Sequence, residues 1–260
     1  MSLLTKTSAL MKTIDPDELL LAYRLGVFPM AETREAQNIL WIRPNTRCVL
    51  SLNSFHVPKR LARTVRSDRF AVRCNSDFGM VIRKCAAAGP QRDESWINPA
   101  IIDVFEELHR RGHAHSVEAW EGEDLVGGLY GLSIGGAFFG ESMFSLQTDA
   151  SKVALVHLVA RLKQGGYRLL DAQFPNPHLE QFGAWEISEE KFGKLLEQAT
   201  QCSADFYSMG TSGGSADGSS GDGSASVSES SAPWASGSSS ARKSSGSGGA
   251  SVLQLITHTS

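Results

Sequence analysis

The sequence predicts an α+β fold. Three observations carry that expectation: alternating strands run from His113 to Phe144, capped helical stretches flank them, and composition shifts abruptly near Met209, where the globular part ends. The order helix, three-strand meander, helix, strand differs from the regular strand–helix repetition of a parallel sheet, and there is no internal repeat.

Taken along the chain, Asp15-Pro-Asp-Glu-Leu-Leu-Leu-Ala-Tyr-Arg-Leu-Gly26 reads as a short helix. Asp15 is its cap, Pro16 suits the first turn and Gly26 ends it. Val57 to Thr64 reads as a second helix, with Lys59, Arg60 and Arg63 on its surface. Asn98-Pro99 opens a third, whose apolar face is Ile102, Phe105 and Leu108 and whose stop is Gly112. His113 to Glu121 alternates as a strand, and Glu121-Gly-Glu-Asp124 is a turn. Leu125 to Ile134 is a second strand, weakened by Gly127, Gly128 and Gly131. Gly135-Gly136 signals a hairpin into a third strand, Ala137 to Phe144. Asp149 is the expected cap of a helix from Ala150 to Lys163, stopped by Gly165-Gly166. Tyr167 to Phe174 is a strand of buried type, and a helix from Ser188 to Ala199 closes the globular part.

Met209 to Ser251 holds 17 Ser and 10 Gly in 43 residues. Such a stretch buries too little apolar surface to offset the entropy of ordering it, so residues 209–260 read as a disordered low-complexity tail. The apolar Val252-Leu-Gln-Leu-Ile256 near its end is expected to be idle. The remaining division is a small N-terminal domain over 1–45 and a larger one over 46–208.

The 260 residues carry a formal charge of −3 and 20% charged residues. No apolar run approaches the ~20 residues of a membrane span. Met1 to Lys12 lacks the apolar core of a secretion signal. Cys48, Cys74, Cys85 and Cys202 are scattered and form no CxxC pair, which argues against a disulfide scaffold or structural zinc. A cytoplasmic protein without cofactor or metal is expected.

The small net charge hides an asymmetry. Arg43 to Arg92 holds eleven basic and two acidic residues, a balance of +9, whereas Asp93 to Thr200 stands at −9. The first block fits a face for a polyanion, with nucleic acid the leading partner, and the second is suited to a cationic substrate.

Two places suggest chemistry. Glu141 stands among aromatic and sulfur side chains in Phe138-Phe-Gly-Glu-Ser-Met-Phe-Ser145, as either a solvated edge residue or a desolvated anion awaiting a cation. Asp171 and Gln173 are two apart on an otherwise buried strand, so a period of two puts them on one face, where Asp171 can orient the amide. Other signals are weak. His113-x-His115 lacks a third ligand, Gly140-Glu-Ser142 lacks the second glycine of a nucleophile elbow, and Gly127 to Gly131 precedes no phosphate-binding helix.

Several blocks resemble the leucyl/phenylalanyl-tRNA–protein transferase family: Leu25-Gly-Val-Phe-Pro-Met30, Glu94-Ser-Trp-Ile97, Gly112-His-Ala-His-Ser-Val-Glu118, Leu125 to Gly131, and Phe139-Gly-Glu-Ser-Met-Phe-Ser145. Ala150-Ser-Lys152, Leu170-Asp-Ala-Gln173 and Gly183-Ala184 continue the likeness, which runs from about Asp15 to Thr200. It implies a GNAT acetyltransferase-like core behind a small N-terminal domain. The implied activity is transfer of Leu, Phe or, less well, Met from aminoacyl-tRNA to proteins beginning with Arg or Lys, marking them for a Clp-type protease through its adaptor.

Residue by residue, the resemblance gives Trp96 a contact to the terminal adenosine. It puts Met30 where relatives often carry a second Trp. Leu129, Phe138, Met143, Leu158 and Leu170 become the pocket for the amino acid side chain. Asp171, Gln173 and Glu141 become the reacting centre: Asp171 orients Gln173 and lends negative potential, Gln173 meets the incoming amine, and Glu141 pairs with the cationic acceptor residue. Lys59, Arg60, Arg63, Arg66, Arg83 and Lys84 are the candidates for tRNA phosphates. An acyl-CoA acetyltransferase is disfavoured, because Gln147-Thr-Asp-Ala-Ser-Lys152 lacks the glycines of a pyrophosphate turn. A non-catalytic RNA-binding module leaves Asp171, Gln173 and Glu141 without a purpose.

Overall fold

A computed structural model describes residues 4–10, 13–87, 95–209 and 248–257. Glu94 and most of the Ser/Gly stretch, with its expected disorder, lie outside the described residues. In chain order the elements are β1 (Leu4–Leu10), α1 (Pro16–Arg24), β2 (Phe28–Met30), β3 (Asn38–Pro44), β4 (Thr46–Leu50), α2 (Lys59–Arg66), β5 (Ala71–Cys74), α3 (Phe78–Ala86), α4 (Pro99–Arg110), β6 (Ala114–Glu121), β7 (Asp124–Ile134), β8 (Ala137–Ser145), α5 (Ala150–Gln164), β9 (Leu169–Gln173), α6 (Pro177–Glu180), β10 (Ala184–Ser188), α7 (Glu189–Thr200) and α8 (Gly249–Thr257).

The strands form a three-stranded sheet, ordered β1-β3-β2, and a seven-stranded sheet, ordered β10-β4-β9-β8-β7-β6-β5. Among the described residues every pairing is antiparallel except β8 with β9. The fold is therefore α+β with a mixed sheet. Neighbouring residues of one strand enter different cores. Leu129 and Phe138 join a cluster with α2, α5 and α8, while Tyr130 and Phe139 join one with α1, α3, α4 and α7. Adjacent side chains of a strand point to opposite faces, so helices cover both sides of the large sheet.

The expected caps hold for α1 and α4, where Asp15 and Asn98 accept backbone N–H bonds from the first turn, and Ser188 does the same for α7. Asp149 does not cap α5. Its φ of 70° turns the carboxylate away, and it accepts instead from Lys152 Nζ at 3.3 Å. Ser145 Oγ takes over by accepting the Ser151 N–H at 3.2 Å. Gly127, which looked like a weakness in its strand, serves packing: a Cβ there would lie 2.5 Å from Ala150 Cβ, at the start of α5.

The end of the chain departs from expectation. Val252 to Ile256 is not idle but part of α8, and Val252, Leu253 and Ile256 are buried beside α2 and α5. The Gly249 N–H donates to Asp68 Oδ1 at 2.6 Å, and Lys163 Nζ donates to the Ile256 carbonyl at 2.8 Å, so both helix ends are tied down. Only glycine fits at 249, since a Cβ would meet the Val65 carbonyl at 1.8 Å.

Candidate active site

The site grows from the one parallel pairing. β8 and β9 pair in register through Phe139↔Asp171. Two residues on, Glu141 and Gln173 face each other, and a side-chain bond replaces the ladder: Gln173 Nε2 donates to Glu141 Oε1 at 2.8 Å. Tyr23, from α1, donates its hydroxyl to the same oxygen at 2.8 Å. Both strands are bulged here. Tyr130 pairs with Ser142 and Gly131 with Gly140, which leaves Glu141 as the extra residue of β8. Across β9, Val49 pairs with Asp171 and Cys48 with Gln173, leaving Ala172 extra. A bulge re-aims the side chain it carries, and this one turns Glu141 inward toward Tyr23.

The bulge at Ala172 also overturns the expected shared face. Asp171 and Gln173 stand opposite Val49 and Cys48, neighbours that point opposite ways, and Gln173 adopts a φ of 61°. Asp171 therefore does not orient the Gln173 side-chain amide, which Glu141 does. Its Oδ1 instead accepts the Gln173 backbone N–H at 2.8 Å. Nor does Asp171 offer unopposed negative potential. Arg47 of β4 forks onto it, Nε at 3.0 Å from each oxygen and Nη2 at 2.7 Å from Oδ2, with both residues buried. Asp171 is 0% exposed and Arg47 1%.

Glu141 is 8% exposed, and its Oε2 has no hydrogen-bond partner among the described residues. Burial pushes its carboxyl up from 4.5 to about 8, with Asp171 adding to the rise, while the bonds from Tyr23 and Gln173 and the Arg47 charge pull it down. Below about pH 8 this carboxyl thus favours the neutral acid. Burial likewise raises the Tyr23 hydroxyl well above its ordinary range, so it stays a donor, and raises the nearby Cys48 thiol, which disfavours a thiolate nucleophile. A desolvated carboxyl with one acceptor oxygen unfilled is suited to a cationic or amine donor.

The other expected residues fall into three groups. Leu129, Phe138, Leu158 and Leu170 are buried in the cluster beneath α5, with Met143 partly buried against it. Met30 and Trp96 are partly buried neighbours, since the Ala31 N–H donates to the Trp96 carbonyl at 3.0 Å. Phe28, two residues before Met30, meets Phe174 edge-on at 5.5 Å, which sets this strand beside the end of β9.

The basic candidates are not one face. Lys59, Arg60, Arg63 and Arg66 are exposed on α2, and Lys59, Arg63 and Arg66 line a cleft of ≈ 720 Å³ with the 53–57 loop and α8. Arg83 and Lys84 lie on α3, which packs on the other side of the large sheet, and Arg83 Nη1 is taken by Glu106 at 2.7 Å. Arg47, counted with the same block, is committed to Asp171. Sequence reasoning missed Tyr23 and Arg47. Arg47 was hidden in a charge count, and no local pattern distinguishes a buried arginine from a solvated one. Among the described residues no group of three His, Cys, Asp or Glu is arranged to hold a metal ion, and no helix is long and apolar enough to cross a membrane.

Comparison with known families gives two adjoining matches. Residues 49–197 match leucyl/phenylalanyl-tRNA protein transferase, and residues 12–45 match the N-terminal domain of the same family. A leucyl/phenylalanyl-tRNA–protein transferase of Phenylobacterium zucineum is 56% identical over 208 residues, 80% of this chain and 94% of that protein. One from Paramagnetospirillum magneticum is 56% identical over 189 residues, covering 73% and 90% of the two chains. One from Caulobacter vibrioides is 55% identical over 193 residues, covering 74% and 89%.

Proposed function

The chain belongs to the leucyl/phenylalanyl-tRNA protein transferase family and is an aminoacyltransferase; from that premise we propose that it moves Leu, Phe and, less well, Met from aminoacyl-tRNA to proteins whose first residue is Arg or Lys. The observation that supports this most is the buried Glu141 carboxyl, bonded by Tyr23 and Gln173 on one oxygen and unfilled on the other. A guanidinium or ammonium entering there shifts Glu141 to its carboxylate and gains a charge-assisted bond to Oε2.

The reaction is aminolysis of an ester. The neutral α-amine of the acceptor attacks the aminoacyl carbonyl carbon, the bond to the ribose oxygen breaks, and the amine proton goes to that oxygen. A free α-amine has a pKa of about 7.7–8.0, so a useful fraction is neutral near pH 7. Positioning supplies much of the acceleration. Gln173 aligns the amine, and Asp171 holds the backbone of Gln173. Leu129, Phe138, Met143, Leu158 and Leu170 form the side-chain pocket, which tolerates Leu, Phe and Met because one methylene changes binding by only about 1–3 kcal/mol. Trp96 and Met30 receive the terminal adenosine. Lys59, Arg60, Arg63 and Arg66 hold acceptor-stem phosphates, with Arg83 and Lys84 a separate patch.

Residues 1–45 form the small N-terminal domain and 46–208 a GNAT-like catalytic domain. The enzyme works in the cytoplasm without a cofactor, and its products are read by a Clp protease adaptor. The test mixes the purified protein with radiolabelled Leu-tRNA and peptides beginning with Arg or Ala. Label on the Arg peptide alone, lost in Asp171→Ala, is the expected result. No transfer from Leu-, Phe- or Met-tRNA by folded protein that still binds tRNA would instead favour a non-catalytic RNA-binding module.

A further inference from the structure

Arg47 is tied to more of the molecule than its partner Asp171 requires. Besides the fork onto Asp171, its Nη1 donates to the Gly26 carbonyl at 3.0 Å, at the turn that ends α1. Its guanidinium lies 4.8 Å from the ring centroid of Phe28 on β2 and 4.4 Å from that of Phe192 on α7. One planar group thus joins β4, β9, the α1–β2 turn and α7. Asp171 passes this fixation on: Oδ1 is shared between Arg47 Nε and the Gln173 N–H. That N–H belongs to a glutamine with φ of 61°, a conformation a non-glycine residue keeps only when its surroundings dictate it. From the same backbone the amide reaches Glu141.

We propose that Arg47 is a positioning residue of the transfer reaction: by clamping Asp171 from two sides of the site, it locks the left-handed turn at Gln173 that aims the amide at Glu141 and the acceptor amine. The role of the Arg47–Asp171 pair is geometric, because the two charges cancel within one buried fork. A lysine keeps the charge but not the fork, having a point-like ammonium in place of a planar guanidinium that serves Asp171, Gly26 and two rings together. The Glu141 carboxyl is bonded by Tyr23 from α1 and Gln173 from β9, and feels the charges of Asp171 on β9 and Arg47 on β4.

This inference rests on Gln173 belonging to the reacting centre, so Gln173→Ala is run beside it. Single-turnover transfer from Leu-tRNA to an Arg-initiated peptide is measured on the full chain for wild type, Arg47→Lys and Gln173→Ala, with melting temperature, tRNA Kd and peptide KM. The expected result for Arg47→Lys is a rate about 100-fold lower, the cost of roughly an ångström of misplacement. Its Kd and KM stay within about twofold of wild type, and the midpoint of its pH–rate profile is unmoved because the positive charge is kept.

A rate within about twofold of wild type, or a loss confined to KM or Kd, overturns the clamp. If Arg47→Lys does not fold, Phe192→Leu, which removes one stacking face, decides: a selective fall in rate at unchanged KM supports the clamp, and a lower melting temperature with an unchanged rate overturns it. A slow Gln173→Ala beside a fast Arg47→Lys removes the clamp alone. A Gln173→Ala as fast as wild type removes the site reading and the clamp with it.

Discussion

Replacing Glu141 by Gln should change how stability depends on pH more than it changes stability at any one pH. Unfolded, the Glu141 carboxyl releases its proton near 4.5; folded, burial holds the proton until about 8. Between those values the folded chain carries one proton more, so rising pH favours the unfolded state. Each pH unit in that window removes about 1.4 kcal/mol, so from pH 5 to pH 8 wild type should lose about 3–4 kcal/mol relative to Glu141→Gln. The variant keeps shape and an oxygen acceptor for Tyr23 and Gln173 but has nothing to titrate. Urea unfolding of both proteins from pH 5 to pH 9 isolates this group, because every other titration is shared. The difference curve should fall through the window and flatten above it. Parallel curves, or wild type gaining on the variant as pH rises, would refute a carboxyl held neutral by burial.

Three further outcomes follow from the same structure. Gln173→Gly relieves a left-handed φ that costs a non-glycine residue about 1–3 kcal/mol; transfer should fall at least ~100-fold while the calorimetric Tm holds or rises. Truncation after Ser247 removes the burial of Val252, Leu253 and Ile256 beside α2 and α5. It should lower the midpoint of chemical denaturation, since about 1.5–3 kcal/mol of burial per side chain is lost, in part offset by the entropy of ordering α8. Gly127→Val puts a side chain where even a Cβ meets Ala150 at 2.5 Å. A loss of about 1–3 kcal/mol is expected in the same assay.

The legible parts of the fold were those with local punctuation. Asp15 and Gly26 bracket α1, Asn98-Pro99 and Gly112 bracket α4, and the Gly122 and Gly135 turns mark off the β6–β7–β8 meander. The short strands β2 to β5 and β10 were not legible, because their pairing is long-range: β10 pairs with β4 and β4 with β9. α3 hid behind Gly79, a poor helix former near its start. α8 is nine residues long and depends on tertiary packing, since a helix that short is marginal alone.

At the site, the residue types were legible and their relations were not. Asp171, Gln173 and Glu141 stood out as polar groups in apolar runs, yet the bulges at Glu141 and Ala172 decide which of them meet. A one-residue bulge resets every alternation beyond it, and nothing in Gly-Glu-Ser or Asp-Ala-Gln announces one. The basic stretch was legible as charge but not as surface. Folding divides it among α2, α3 and the buried Arg47.

The central claim is that Glu141 reads the positive charge of the acceptor's first residue. It is tested most directly by competing an Arg-initiated peptide against a citrulline-initiated one, equal in shape but uncharged, at saturating Leu-tRNA. Wild type should prefer Arg by about tenfold or more, the equivalent of roughly 1.4 kcal/mol from one charge-assisted contact, and Glu141→Gln should lose that preference. An Arg preference that survives intact in Glu141→Gln would contradict the account.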